Sequence, residues 1–220
     1  MTDPLDTPLD SPLDAPSDRR SGGRSARIRT QVLDAVRAEL AENGHESLTM
    51  EGVATRAGVH RATVYRRWRD VGGLLVDLID ATGEIDWQPP DTGSLRGDLT
   101  ALNQEIQDSL LVRPSFAVAL MAASFHFERA AQAQTRLWTD RYAQCEVLIE
   151  RAKARGELPT PHTDAHALLL LATAPIYHHL VLLRTPPDPH LPERAATAAT
   201  LAAAAGAFSV GRGGGGDGDG

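Results

Sequence analysis

Cysteine is nearly missing from this chain of 220 residues. The single one, Cys145, excludes an intrachain disulfide framework and a Cys-rich zinc site, which points to an intracellular protein. Lysine is scarce as well: Lys153 stands alone against many arginines, a bias that suggests a GC-rich coding sequence more than a function. No uninterrupted apolar run reaches the length of about 18 residues that a membrane span needs. The longest apolar stretch, Ala165 to Leu183, is broken by His166, Thr173, Pro175, His178 and His179, so no membrane partner is expected. The amino end lacks a basic segment followed by an apolar one, so no secretory signal is expected and the cytoplasm is the expected location. Nor does any window alternate with a strand period for long enough to compete with helix.

What is present is unevenly charged. The formal net charge of -7 argues against a nonspecific polycation, yet residues 1–23 carry -3, residues 24–69 carry +4 and residues 70–220 carry -8. Attraction to phosphate would therefore be local to the second segment, with the acidic remainder held away from it. The first 23 residues repeat a Pro-Leu-Asp unit every four positions (DPLD, TPLD, SPLD, APSD). Proline at that density and so little apolar surface predict a disordered leader, 1–23, and a solvated tail is expected in preference to phosphate contact by Arg19, Arg20 and Arg24. The closing GRGGGGDGDG predicts a second flexible tail, 209–220.

Between the tails the periodicity is helical. Ile28, Val32, Val36 and Leu40, with Leu33 beside them, define a helix from Ser25 to about Asn43 that Gly44 closes. After Asp70, a plausible N-cap, Leu74, Leu75, Leu78 and Ile79 define a fourth helix ending near Gly83, followed by a loop from Gln88 to Gly93. Further helices are expected from Leu95 to Val112, stopped by Pro114; from Pro114 to about Phe127; from Glu128 to Arg155, stopped by Gly156; from Thr163 or Asp164 to Arg184; and from Pro189 to Phe208. About nine helices in an all-α fold result.

The most informative stretch runs from Leu48 to Leu75. It reads as a helix-turn-helix: two short apolar-stepped helices joined by Ala57-Gly58-Val59. Thr49 is placed to cap the first helix, Gly58 suits the left-handed residue that stops it, and Val59 packs back on its last turn. In the second helix Val64 and Trp68 face inward, which leaves His60, Arg61, Thr63, Tyr65, Arg66 and Arg67 on the remaining surface. A polar, basic face opposite an apolar stripe is what a helix needs to lie in a DNA groove.

Gly44, Leu48, Thr49, Met50, Val53, Ala54, Ala57, Gly58, Val59, Thr63, Val64, Tyr65, Trp68, Leu74 and Leu75 together resemble the TetR family of one-component transcriptional regulators. The resemblance covers the first four helices. It implies a three-helix DNA-binding domain, 24–69, joined to a larger helical ligand-binding and dimerisation domain, 70–208, in a repressor that a small molecule releases from a near-palindromic operator. On that resemblance Thr49, Thr63 and Tyr65 are expected to fix orientation on phosphate, and His60, Arg61 and Arg66 to reach base edges. Arg61, at the end that enters deepest, is placed to grip guanine bidentately. Ala62 is small enough to let the backbone approach or to meet a thymine methyl. Two departures stand out: His60 occupies the place of a small capping residue, and Val71-Gly72-Gly73 stands where the family commonly carries lysine at the start of the fourth helix. Arg67 or Arg69 is then left to supply the missing phosphate contact.

One recognition helix about 12 Å long touches too few bases for useful selectivity, so a homodimer is expected. Its surface is expected on the Ala-rich last helix and the helix from Asp164 to Arg184. By the resemblance, Trp87, Phe116, Met121, Phe125, Trp138, Tyr142, Cys145, Tyr177 and His178 surround a pocket for a small lipophilic or aromatic effector. No cofactor is expected. His126, His178 and His179 make a poor metal site, because adjacent histidines on a helix point about 100° apart and no acidic residue sits at ligand spacing. Two rivals remain: a regulator of the same fold that answers to a protein or activates, and an enzyme using His178 and His179 as acid and base. The enzyme lacks a positioned nucleophile, a Gly-rich phosphate loop and paired carboxylates.

Overall fold

The computed structural model describes residues 18–83, 86–112, 115–159 and 162–209, so the leader expected up to residue 17 and the tail expected from residue 210 lie outside the described residues. Among these, nine α-helices and one π-helical turn carry the fold: α1 Asp18–Asn43, α2 Met50–Ala57, α3 Arg61–Trp68, α4 Val71–Gly83, α5 Leu95–Leu111, α6 Phe116–Ser124, α7 Glu128–Ala154, α8 Ala165–Tyr177 with the π turn His178–Leu182, and α9 Leu191–Ala204. The architecture is all-α, with an isolated bridge between Thr163 and Ser209 in place of any strand among the described residues.

Three ends differ from expectation. The first helix begins at Asp18, inside the stretch read as leader, because no proline follows Pro16 to interrupt it. The helix expected to reach Arg184 is α-helical only to Tyr177. Pro175, inside it, has no N–H for its own turn, and the backbone widens into the π turn before ending at Arg184, whose φ is 53°. The last helix stops at Ala204; Gly206, at φ 79°, turns the chain so that the Phe208 carbonyl accepts from the Asp164 N–H at 2.8 Å. Ala165–Leu182 is also long and apolar enough to cross a membrane by length and composition (mean hydropathy 1.4), which the interrupted sequence did not lead us to expect. In this fold Leu168, Leu169, Ala172 and Ile176 are buried inside the bundle.

Two apolar cores hold the helices. The first is built from Val32, Val36 and Leu40 of α1, Val53 of α2, Val64 and Trp68 of α3, and Leu74, Leu75, Leu78 and Ile79 of α4, and it continues without a break into Leu120 and Ala123 of α6 and Ala130 and Ala133 of α7. The second joins Leu95, Leu99 and Leu102 of α5, Cys145, Leu148, Ile149 and Ala152 of α7, Leu168, Leu169 and Ala172 of α8, and Ala196, Ala199 and Ala203 of α9. Small residues on α9 let α5 and α8 approach closely. Helix α7, about 40 Å long at 1.5 Å per residue, contributes one end to each core. At its C-terminal end the fully buried Asp98 accepts from Thr92 N–H at 2.6 Å and Thr92 Oγ1 at 2.7 Å and faces Arg155 at 3.4 Å, which pins the start of α5 to α7.

The turn between α3 and α4 is unusually tight. Arg69 sits at φ 62°, Asp70 Oδ1 caps α4 by accepting from Gly73 N–H at 2.7 Å, and a Cβ at Gly73 would lie 2.2 Å from the Trp68 carbonyl oxygen. That approach explains Gly73, where no side chain fits; at Gly72 an added Cβ would meet Asp70 Oδ1 at 3.3 Å. Across the turn the Trp68 indole N–H donates to Asp77 Oδ2 at 2.7 Å, and Arg29 of α1 holds the other oxygen at 2.8 Å. Gly73→Ala is expected to destabilise the chain by about 1–3 kcal/mol, the usual cost of forcing atoms into a packed site. Asp77→Ala is expected to cost a similar amount, about 1–3 kcal/mol, through the unpartnered indole. Thermal melts of the two variants check both; melting points equal to the parent's would contradict this account of the turn.

Candidate functional site

The reading head is assembled from local caps. Thr49 Oγ1 accepts from Gly52 N–H at 3.0 Å and starts α2; Gly58, at φ 63°, stops it, with Val59 N–H returning to the Ala54 carbonyl at 3.0 Å. His60 then caps α3 itself: its ring Nδ1 accepts from Ala62 N–H at 3.3 Å, which is how a bulky residue takes the place of a small cap. As the periodicity predicts, Val64 and Trp68 are buried, while Arg61, Ala62, Tyr65, Arg66 and Arg67 are exposed and Thr63 is half-buried.

The exposed side chains are not equally free. Arg67 donates to the Ser25 carbonyl at 3.1 Å and hydroxyl at 2.9 Å and lies 5.1 Å from the Trp68 ring centre, so it braces α3 against α1. Arg56, on α2, is taken up by Glu39 and Glu42, and Arg37 by Asp34. Among the described residues Arg66 and Arg67 of α3 are left without a carboxylate partner, as are Arg24 and Arg27 of α1 and Arg69. Glu51 is the residue the sequence reading missed. The Tyr65 hydroxyl donates to Glu51 Oε1 at 2.8 Å, Arg61 Nη1 lies 3.7 Å from the same oxygen, and the Arg61 guanidinium sits 5.9 Å from the Tyr65 ring centre. The Tyr65 hydrogen bond, ahead of the charge of Arg61, holds the Glu51 carboxyl below its ordinary range, and the Glu51 bond raises the Tyr65 phenol. Fourteen residues separate Glu51 from Tyr65, so no local pattern announces the pair.

Between the two cores, along the middle of α7, lie two adjoining cavities of about 410 and 490 Å³. Trp87, Phe116, Met121, Trp138 and Tyr177 line the first; Met121, Phe125, Trp138, Tyr142 and Tyr177 line the second, with Phe125, 86% exposed, at its rim. Two of the nine residues expected there do not line either cavity. Cys145 is buried in the second core, because α8 and α9 close over that part of α7. His178 is exposed at the start of the π turn, where the widened backbone carries it off the inner face. Tyr142 spends its hydroxyl on Thr173 at 3.1 Å and its ring edge on His166. The sequence reading missed Gln134 and Arg141, which also line the first cavity. They are four residues before and three after Trp138, so helical spacing from that tryptophan was the available signal.

This arrangement defines a helix-turn-helix DNA-binding protein with a helical regulatory body. The family profile for bacterial regulatory proteins of the tetR family matches residues 32–78, and the tetracyclin repressor-like C-terminal domain matches residues 89–199. The regulator AqdR of Rhodococcus erythropolis is 30% identical over 175 residues, covering 78% of this chain and 83% of that one. The DNA-binding transcriptional repressor TetR of Mycobacteroides abscessus is 28% identical over 158 residues, 70% of this chain and 83% of that one. The crystal structure of MexZ, described as a key repressor responsible for antibiotic resistance in Pseudomonas aeruginosa, shares the fold with a TM-score of 0.61 at 19% identity, over 84% of this chain and 99% of that one. The chain belongs to the TetR family of transcriptional regulators, whose members are not enzymes.

Burial in the second core pushes the Cys145 thiol from an ordinary 9.0 up to about 11. The stability this neutral thiol brings is complete below pH 9 and is lost as pH rises toward 11, because the unfolded thiol ionises first. Cys145→Ala is therefore expected to lose less melting temperature between those two pH values than the parent chain, and the parent thiol to resist alkylation until denaturant is added. Rapid labelling of the folded chain at neutral pH would contradict the placement.

Proposed function

We propose that the chain is a cytoplasmic repressor that binds a near-palindromic operator as a homodimer and is released by a small molecule held in the cavities along α7. The observation that carries this reading is the continuity of the first core. The same packed residues seat α3 and the α6–α7 wall of the cavity, with residues 24–69 as reading head and 70–208 as regulatory body. A ligand that favours one seating of α6 and α7 must bias the spacing of two recognition helices by its differential affinity. The repressor role of the Mycobacteroides relative supports the sign of regulation. For the dimer, Leu170, Leu171, Leu182, Leu183 and Leu201 leave an exposed apolar face on α8, its π turn and α9, which a second copy would cover.

In this reading Arg61 and Arg66 reach base edges, with His60 and Ala62 at the groove end of α3. Thr49, Thr63, Tyr65 and Arg67 hold the backbone. Glu51 competes with DNA: the single Tyr65 O–H donates either to Glu51 or to a phosphate, and a base edge must also draw Arg61 from the same carboxylate.

Genome-wide footprinting with the purified protein, then gel shifts on the recovered site, tests the whole. Arg61→Ala is expected to weaken operator binding by about 1–3 kcal/mol while leaving random DNA nearly unaffected. Equal loss on both would make Arg61 a backbone contact. Glu51→Gln is expected to tighten binding to operator and random DNA alike, by several-fold at low salt, and to steepen the salt dependence. Unchanged affinity would mean that Tyr65 does not exchange Glu51 for a phosphate.

A further inference from the structure

Resting on the reading of a ligand-released regulator, we propose that the cavity along α7 takes an elongated aromatic monoacid: its ring system lies on Trp138, its carboxylate meets Arg141, and a hydroxyl or N–H at its far end donates to Gln134. The three residues fall at positions i, i+4 and i+7 of α7, which places them on one face and spreads them over about 10 Å of helix. All three line the cavity of about 410 Å³, and Gln134 and Trp138 continue into its neighbour.

Each end is chemically incomplete. Gln134 Oε1 is sealed from solvent and accepts no hydrogen bond, a state that folded proteins avoid unless something else fills it. A ligand donor satisfies it once the amide turns into the cavity that the residue already lines. At the other end, Arg129, Arg136 and Arg151 of α7 face Asp70, Asp80 and Asp91 at 3.7, 4.0 and 3.6 Å. Among the described residues Arg141 alone of the helix's four arginines has no carboxylate within ion-pair distance. Its guanidinium carbon instead lies over the Trp87 ring, 4.4 Å from the centre, at the wall of the cavity, where its N–H groups can meet an anion.

Between the ends the lining is apolar, and Trp138 and Tyr177 stand edge to face at 5.5 Å, a corner that fits a flat ring. Glu105 sets the charge limit. It accepts from the Trp87 indole N–H at 2.9 Å at the same cavity, so a second negative charge on the ligand meets repulsion there. A neutral hydrocarbon leaves both Gln134 and Arg141 unanswered.

The test uses the full-length protein and a set of four probes in calorimetric titrations: 4′-hydroxybiphenyl-4-carboxylate, the same acid without its hydroxyl, the same phenol without its carboxylate, and biphenyl. The hydroxy acid is expected to bind tightest. Removing the carboxylate is expected to weaken binding about tenfold or more in the parent chain, and removing the hydroxyl several-fold. In Arg141→Gln the first difference should vanish, and in Gln134→Leu the second. Should either variant fail to fold, the ladder of four affinities on the parent protein decides alone. Equal affinities for all four, or a ladder that both folded variants preserve, overturns the proposal while leaving the cavity a ligand site. Binding of none overturns it too; operator release by some other compound would then keep the ligand-released reading. Absence of release by any compound in a broad screen would sink that reading instead.

Discussion

The display of the recognition helix depends on one contact, the hydrogen bond from the Trp68 indole to the Asp77 carboxylate. Helix α3 is only eight residues long, too short to be stable in water on its own, and its inward face offers just Val64 and Trp68. The indole is fixed in direction because its N–H has one half-buried acceptor on α4, and that acceptor is itself held by Arg29 from α1. Three helices therefore meet on a single carboxylate. The tight turn at Arg69 and the missing side chain at Gly73 follow from the same requirement, since α4 must pass close beneath the end of α3 for Asp77 to reach Trp68.

From α4 the constraint passes outward. Its apolar face is shared between the N-terminal helices and α7, so the two halves of the molecule have a common core rather than a flexible link. Helix α7 is fixed at one end by this core and at the other by the second core and the Asp98 cluster. Its middle is the part that neither core grips fully. The cavities lie there, and in the proposed reading a ligand at the centre of this rod acts on whatever its two ends seat.

Much of this was legible in the sequence, for identifiable reasons. Helices that bury one face leave a 3.6-residue trace, so α1, α4, α5 and α7 and the inward pair Val64 and Trp68 could be read directly. Caps with a chemical signature were legible as well: Thr49, Gly58, Asp70, Asp164 and Gly156 end helices where expected. What could not be read depends on partners distant in the chain. Glu51 gains its meaning from Tyr65, Gly73 from the Trp68 carbonyl, and Cys145 leaves the cavity because α8 and α9 cover it. The displacement of His178 arises from Pro175 and the π turn, where the helical period assumed in placing it no longer holds.

The bare glycines at the head of α4 bear on how such a molecule moves along a chromosome. A cation at that place would add to the grip on any phosphate, whatever the sequence; Val71 supplies none, no side chain fits at Gly73, and in the proposed reading Glu51 offsets part of the remaining attraction. Weak hold on random duplex shortens each stay between hops, so more of the search is spent sampling new sites. On the proposed assignment of Arg61 and Arg66, residence at the true site comes from the edges of the bases, so discrimination counts for more than bare adhesion.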